Sequence, residues 1–216
     1  MEKKCIVFVL GGSLLMSIDE IISIWCEAIR KTALLVDYKI IYENYSASFQ
    51  GVILPKLQER YAWTDLQVQT IVSHAQKVFG DINNTVNVDL AKKLMDLKEK
   101  NGYCLGVVTN KSHQKLVKGL LKIGCNKEIF DYVRTSDDGV KKPDIAVFDP
   151  IVNDFATNEI IFVGNDPHSD WPMAQKLGIE FVPIVSPSFI RNFWEAMGFA
   201  PDKVFESVPK YISTLL

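Results

Sequence analysis

Cys5-Ile6-Val7-Phe8-Val9-Leu10, followed by Gly11-Gly12-Ser13-Leu14, is the stretch on which the fold turns. Six apolar residues rich in β-branched and aromatic types, closed by two glycines, read as a short buried strand ending in a tight turn. Lys3-Lys4 ahead of the run could instead open a secretory leader. However, the glycines interrupt the apolar core of such a leader, and no small-x-small cleavage site follows. The strand is therefore the reading. A strand apolar on both faces belongs in a parallel sheet, which requires further strands separated by helices.

The remaining sequence supplies them. Leu90, Ala91, Leu94 and Leu97 recur at helical spacing and Asn101-Gly102 gives the stop. Tyr103 to Val108 is a second buried-strand run, and Ser112 can cap a helix carrying Leu116, Val117, Leu120 and Leu121 as far as Gly124. A short strand is expected around Tyr132-Val133. Pro143 is expected to open a helix with Ile145, Phe148, Val152 and Phe155 on one face. Ile160 to Val163 gives another strand, a helix runs from about Asp170 to Gly178, and Glu180 to Val185 gives a last strand. The fold class is α/β, a doubly wound, Rossmann-like parallel sheet. Residues 15–85 break this alternation, with Ile18, Ile21, Ile22, Trp25 and Ile29 at helical spacing and an aromatic-rich remainder. They are read as an inserted α-helical cap, with residues 1–14 and 86–216 forming the core. An insert there is expected over the carboxyl ends of the strands, where open α/β sheets bind ligands.

Composition narrows the function classes. A net charge of −2 offers no broad basic surface for nucleic acid or anionic lipid. No apolar run approaches the roughly 18 residues of a membrane span. The four cysteines (Cys5, Cys26, Cys104, Cys125) are scattered, which argues against a zinc site or disulfide framework and fits a reducing cytoplasm.

Four segments, in order and each at a strand end or helix start, carry a family resemblance. Phe8-Val9-Leu10-Gly11-Gly12-Ser13-Leu14 resembles the first motif of the haloacid dehalogenase-like hydrolases, an apolar strand ending in Asp-x-Asp-Gly-Thr-Leu. Val107-Val108-Thr109-Asn110-Lys111 resembles the second, Lys142-Pro143-Asp144 the third, and Val163-Gly164-Asn165-Asp166-Pro167-His168-Ser169-Asp170 the fourth. The resemblance covers nearly the whole chain, and the insert position is similar to that of helical-cap members of the phosphoglycolate-phosphatase and dehalogenase type. It implies an aspartate nucleophile, a second aspartate as acid and base, and Mg²⁺ on the phosphate.

The sequence departs from that pattern where the chemistry starts. Val9 stands at the nucleophile position and Gly11 at the acid/base position. Removing a nucleophile costs about 10⁶ in rate in a well-studied protease, and general acid/base catalysis contributes about 10²–10⁴. Asn165 takes the place of a metal-binding aspartate. Asn165, Asp166 and Asp170 therefore form at most a weak metal site, and Mg²⁺ is expected to bind poorly. No organic cofactor is implied. The anion-binding parts persist: Gly12, Ser13, Thr109, Asn110 and Lys142 are the expected phosphate-binding residues. The expectation is a ligand-binding or regulatory protein for a small phosphorylated or anionic metabolite. Two alternatives stand beside it: a metal-dependent hydrolase using Asp166 or Asp170 with a directly attacking water, and an interaction protein with a vestigial cleft. His74, His113 and His168 are read as surface, packing or loop residues. Cys104 and Cys125 are read as core thiols, and the lysines at 92, 93, 98, 115 and 118 as helix outer faces.

Overall fold

A computed structural model describes residues 4–15, 18–43, 49–186 and 189–216, with backbone alone at 18–20, 42–43 and 79–88. The strands are β1 (Cys5–Val9), β2 (Cys104–Val108), β3 (Tyr132–Arg134), β4 (Ile160–Gly164) and β5 (Glu180–Pro183). They form one parallel sheet in the order β3-β2-β1-β4-β5, so β1 is central. Its register pairs Val9 with Val108 on one side and Phe8 with Val163 on the other. The carboxyl ends of β1, β2 and β4 thus lie side by side, and every candidate motif residue except Lys142 follows directly from one of these three ends.

The helices are α1 (Ile18–Arg30), α2 (Lys39–Glu43), α3 (Leu54–Tyr61), α4 (Asp65–Glu99), α5 (His113–Lys122), α6 (Asp149–Val152), α7 (Asp170–Leu177), α8 (Arg191–Ala196) and α9 (Val208–Ile212). Local chemistry sets several boundaries. The Ser112 side chain accepts the Lys115 N–H at the start of α5. Gly178 ends α7 in the left-handed conformation, sparing a Cβ its steric cost there.

The pleat of β1 sorts its side chains between two cores. Ile6, Phe8 and Leu10 pack with Leu94, Leu97, Leu116 and Leu120 on one face. Cys5, Val7 and Val9 pack with Phe148, Ile151, Phe162 and Trp194 on the other. The chain divides into two compact units, Met1–Ser17 with Thr85–Leu216, and Ile18–Asn84. The second unit has its own core, in which Trp25 stacks on Phe49 with ring centroids 4.9 Å apart, packed around by Ile22, Ile29, Leu57 and Trp63. Of the aromatic-rich stretch in this insert, Tyr45 and the side chain of Tyr42 lie outside the described residues.

Three expectations need correction. Pro143 does not open a helix: Lys142-Pro143 is a cis peptide in a turn, and the Asp144 side chain caps a 3₁₀ segment at Ile145–Phe148 instead. Only α6 continues it, so Val147, Phe148 and Ile151 are buried while Ile145 is exposed. Leu121 is likewise 64% exposed, because the buried stripe of α5 runs through Leu116, Gly119 and Leu120. Lys98 is not simply solvated: its Nζ donates to the Ile129 carbonyl and to Asp131, each at 2.9 Å.

Candidate functional site

Val9 ends β1 with its side chain 4% exposed, packed in the core that holds Phe148, Phe162 and Trp194. After it the chain doubles back: the Leu14 N–H donates to the Val9 carbonyl at 3.3 Å and the Gly12 N–H to the Leu15 carbonyl at 2.7 Å. Gly12 has φ +87°, the left-handed region open to glycine. A Cβ there would also fall 2.2 Å from the Asn165 side chain, so two loops touch at a point with no room for one more carbon. A Cβ on Gly11 would lie 3.5 Å from Lys111 Nζ.

The loops after β2 and β4 join through Lys142. Asn110 pairs with its backbone in both directions, Nδ2 donating to the Lys142 carbonyl at 3.0 Å and Oδ1 accepting its N–H at 2.8 Å. That clamp aims Lys142 Nζ at Asp170 Oδ1, 2.5 Å away, with the lysine side chain 9% exposed and the aspartate fully buried. Asp170 Oδ2 accepts the backbone N–H groups of Asn165 and Asp166 at 3.2 and 3.0 Å, and Ser169 Oγ lies 3.2 Å from Oδ1. Asp166 is also engaged at both oxygens, accepting the His168 N–H and the Ser169 hydroxyl at 2.8 Å each.

The sequence-predicted residues are therefore brought together, in a different division of labour. Thr109 is 5% exposed and its Oγ1 accepts the Lys111 N–H at 3.1 Å. The Asn110 side chain serves Lys142, and Lys142 serves Asp170, so neither offers its charge or amide freely to an anion. His168 leans its ring on Phe189, and the His113 N–H donates to Asp137, so both imidazole-bearing residues have loop roles. Burial pushes the Cys125 thiol up to about 11, and Cys104 Sγ donates to Asp131, as structural thiols do.

Two groups stand out, one among the expected phosphate-binding residues and one outside them. The Ser13 hydroxyl is buried with no hydrogen-bond partner, although Ser13 itself was expected in the site. Lys111 is half-buried, and no carboxylate pairs with it among the described residues. Burial first, then the charges of Lys115 and Lys122, pull its ammonium below the usual lysine range. Its sequence neighbours carry no signal of this, because the space beside it is left by Gly11 in the turn after β1.

The Mg²⁺ that the resemblance implies does not fit these donors. A hard dication needs several free, preferably charged, oxygens. Val9 and Gly11 supply no side-chain oxygen, and the carboxylates of Asp166 and Asp170 are already accepting. Among the described residues no group of three or more His, Cys, Asp or Glu is placed to hold a metal ion. No helix among them is long and apolar enough to cross a membrane.

Comparison with known proteins follows the same lines. A family model described as haloacid dehalogenase-like hydrolase matches residues 14–184. No curated protein sequence matches the chain. Among solved structures, a proposed β-phosphoglucomutase from Thermotoga maritima superposes with a TM-score of 0.59 at 15% identity, covering 98% of this chain and 97% of that one. A predicted phosphoglycolate phosphatase from Haemophilus somnus gives 0.57 at 18% identity, covering 100% and 99%. A proposed phosphatase from Clostridium difficile gives 0.56 at 20% identity, with both chains fully covered. At these identities the likeness is one of fold.

Proposed function

The chain belongs to the haloacid dehalogenase-like hydrolase family, and on that premise we propose that it lacks the aspartyl-phosphate reaction and binds a small anionic metabolite without turning it over. Members of the family generally use Mg²⁺, and catalysis by covalent phosphoryl transfer needs a nucleophilic atom at the end of the first strand. The observation that carries the reading is Val9: its side chain is 4% exposed and packed among apolar neighbours. A valine there can neither accept a phosphoryl group nor ligate a metal.

The proposed ligand class is a phosphorylated or carboxylated metabolite, and the proposed role is sensing or regulation. Relatives of the same fold carry names of phosphate-ester enzymes, which supports retention of an anion-binding site through common ancestry. The residue-level support is the cluster of donors at the carboxyl ends of β1, β2 and β4. The reading with Asp166 or Asp170 as metal ligand and water as nucleophile is disfavoured, because the oxygens it needs already accept protein hydrogen bonds. Four free, buried cysteines support a reducing, cytoplasmic setting.

The test pairs turnover with binding. Phosphate release from a panel of phosphate esters with Mg²⁺ or Mn²⁺ is expected to stay at the background rate. Calorimetric titration with the same panel is expected to give saturable binding for at least one compound. Steady release that depends on the metal would overturn the reading, and so would failure of every compound to bind at millimolar concentration.

A further inference from the structure

Three polar groups flank the Gly11–Gly12 turn with no side-chain hydrogen bond or ion pair among the described residues. The Asn165 side chain is 8% exposed, lies against Gly12, and makes no hydrogen bond among the described residues. The Ser13 hydroxyl is buried and unsatisfied. Lys111 Nζ lies 3.5 Å from the position of a Cβ on Gly11, and no carboxylate pairs with it among the described residues. A buried polar group left unpaired costs about 1–3 kcal/mol, so the enclosed Ser13 hydroxyl signals a missing acceptor, and the Asn165 amide and the half-buried Lys111 ammonium are further unpaired donors at the same turn among the described residues. All three can donate, and one is a cation.

The charge balance narrows what that acceptor is. Lys142 is neutralised by Asp170, Lys111 is bonded to no carboxylate among the described residues, and Asp166, next to Asn165, accepts only neutral donors, so the turn carries too little positive charge to hold a dianion. One positive charge with two neutral donors matches a singly charged oxygen acid. A phosphate dianion would keep one charge uncompensated, and the carboxylates that could recruit a metal to cancel it are absent or engaged.

Resting on the reading of a non-hydrolysing anion site, we propose that the Gly11–Gly12 turn binds a carboxylate without metal, anchored by Lys111 and completed by Asn165 and Ser13. Lys111 occupies the room that an acid/base carboxylate at position 11 would need. The same space has thus changed sign, from a group that repels anions to one that holds them. Asn165 contributes an amide donor where an aspartate would have contributed repulsion. Binding gives the enclosed Ser13 hydroxyl an acceptor and Lys111 a counter-charge, and for this reason the ligand's charge matters more than its size.

The experiment is calorimetric titration of the full chain with acetate, sulfate and inorganic phosphate at one pH and ionic strength, with EDTA and then with Mg²⁺. Saturable acetate binding, stronger than that of sulfate or phosphate and indifferent to Mg²⁺, is the expected result. Lys111→Met should weaken acetate by about tenfold to a hundredfold, the value of one charge-assisted hydrogen bond, and Lys111→Arg should retain it. Ser13→Ala, which removes an unpartnered hydroxyl, should weaken it several-fold and serves if the lysine variant does not fold. Acetate binding unchanged in Lys111→Met and Ser13→Ala would overturn this assignment while leaving a non-hydrolysing anion site intact. Phosphate or sulfate preferred over acetate, or a requirement for Mg²⁺, would overturn the carboxylate. No binding of any of the three anions would overturn the assignment, and metabolites that bind in the wider panel would then engage the protein elsewhere.

Discussion

Replacing Lys142 with Met keeps most of the side-chain volume and removes one charge from a pair that lies almost wholly out of water. Asp170 is fully buried, and Lys142 is the only cation bonded to it among the described residues. Breaking a buried ion pair by removing one partner costs about 3–5 kcal/mol, because the remaining charge is left uncompensated. Asp170 would keep the N–H groups of Asn165 and Asp166. Those neutral donors place the expected loss at the lower end, about 3 kcal/mol. For a chain of this length that is about 6–12 °C in Tm. Urea denaturation should show the midpoint falling with little change in slope, the sign of lost stability without altered compactness. The Lys142→Met, Asp170→Asn double variant removes both charges and should be more stable than Lys142→Met alone. A single-variant loss below about 1 kcal/mol, the range of exposed pairs, would refute the reasoning. So would a double variant less stable than the single one.

Three further outcomes follow from the same contacts. Burial raises the Asp131 carboxyl, but the Leu105 N–H, Lys98 and the Cys104 thiol together outweigh it and hold it below the usual range. Its folded pKa lies below its unfolded value of about 3.9, so its stabilisation is present above that pH and lost as pH falls through the folded value. The stability gap between the wild type and Asp131→Asn should therefore close below about pH 4 in acid titrations followed by circular dichroism. Gly12→Ala forces a Cβ into Asn165 at a positive φ, and should cost about 1–3 kcal/mol in thermal unfolding, with loss of anion binding. The Val9→Asp, Gly11→Asp double variant should not acquire Mg²⁺-dependent phosphatase activity. Lys111 Nζ, 3.5 Å from the position of a Cβ on Gly11, would capture the new carboxylate, and phosphate-release assays would record no gain over the wild type.

What could be read in advance was local. The runs at 5–9, 104–108 and 160–164 are apolar on both faces and short, which only a central parallel strand explains. Ser112 and Gly178 announce a helix start and a helix stop through their own backbone chemistry. Pro143 misled because its preference for a first helical turn was overridden by Asp144, whose carboxylate caps the next segment. The 35-residue length of α4 was hidden as well, since its apolar stripe serves different cores along its length. In the site, motif order located the strand ends, but it could not assign partners across them. Lys142 and Asp170 are 28 residues apart in sequence, and their pairing decides that the motif lysine is spent. Lys111 became significant only when Gly11 was seen to leave space beside it.

The central claim is that no residue of this chain takes up a phosphoryl group during contact with a phosphate ester. Intact-mass spectrometry after rapid acid quench, across a panel of phosphorylated metabolites with Mg²⁺, addresses it directly. Unmodified protein is expected at every time point. A transient added phosphoryl group, lost again as free phosphate accumulates, would contradict it.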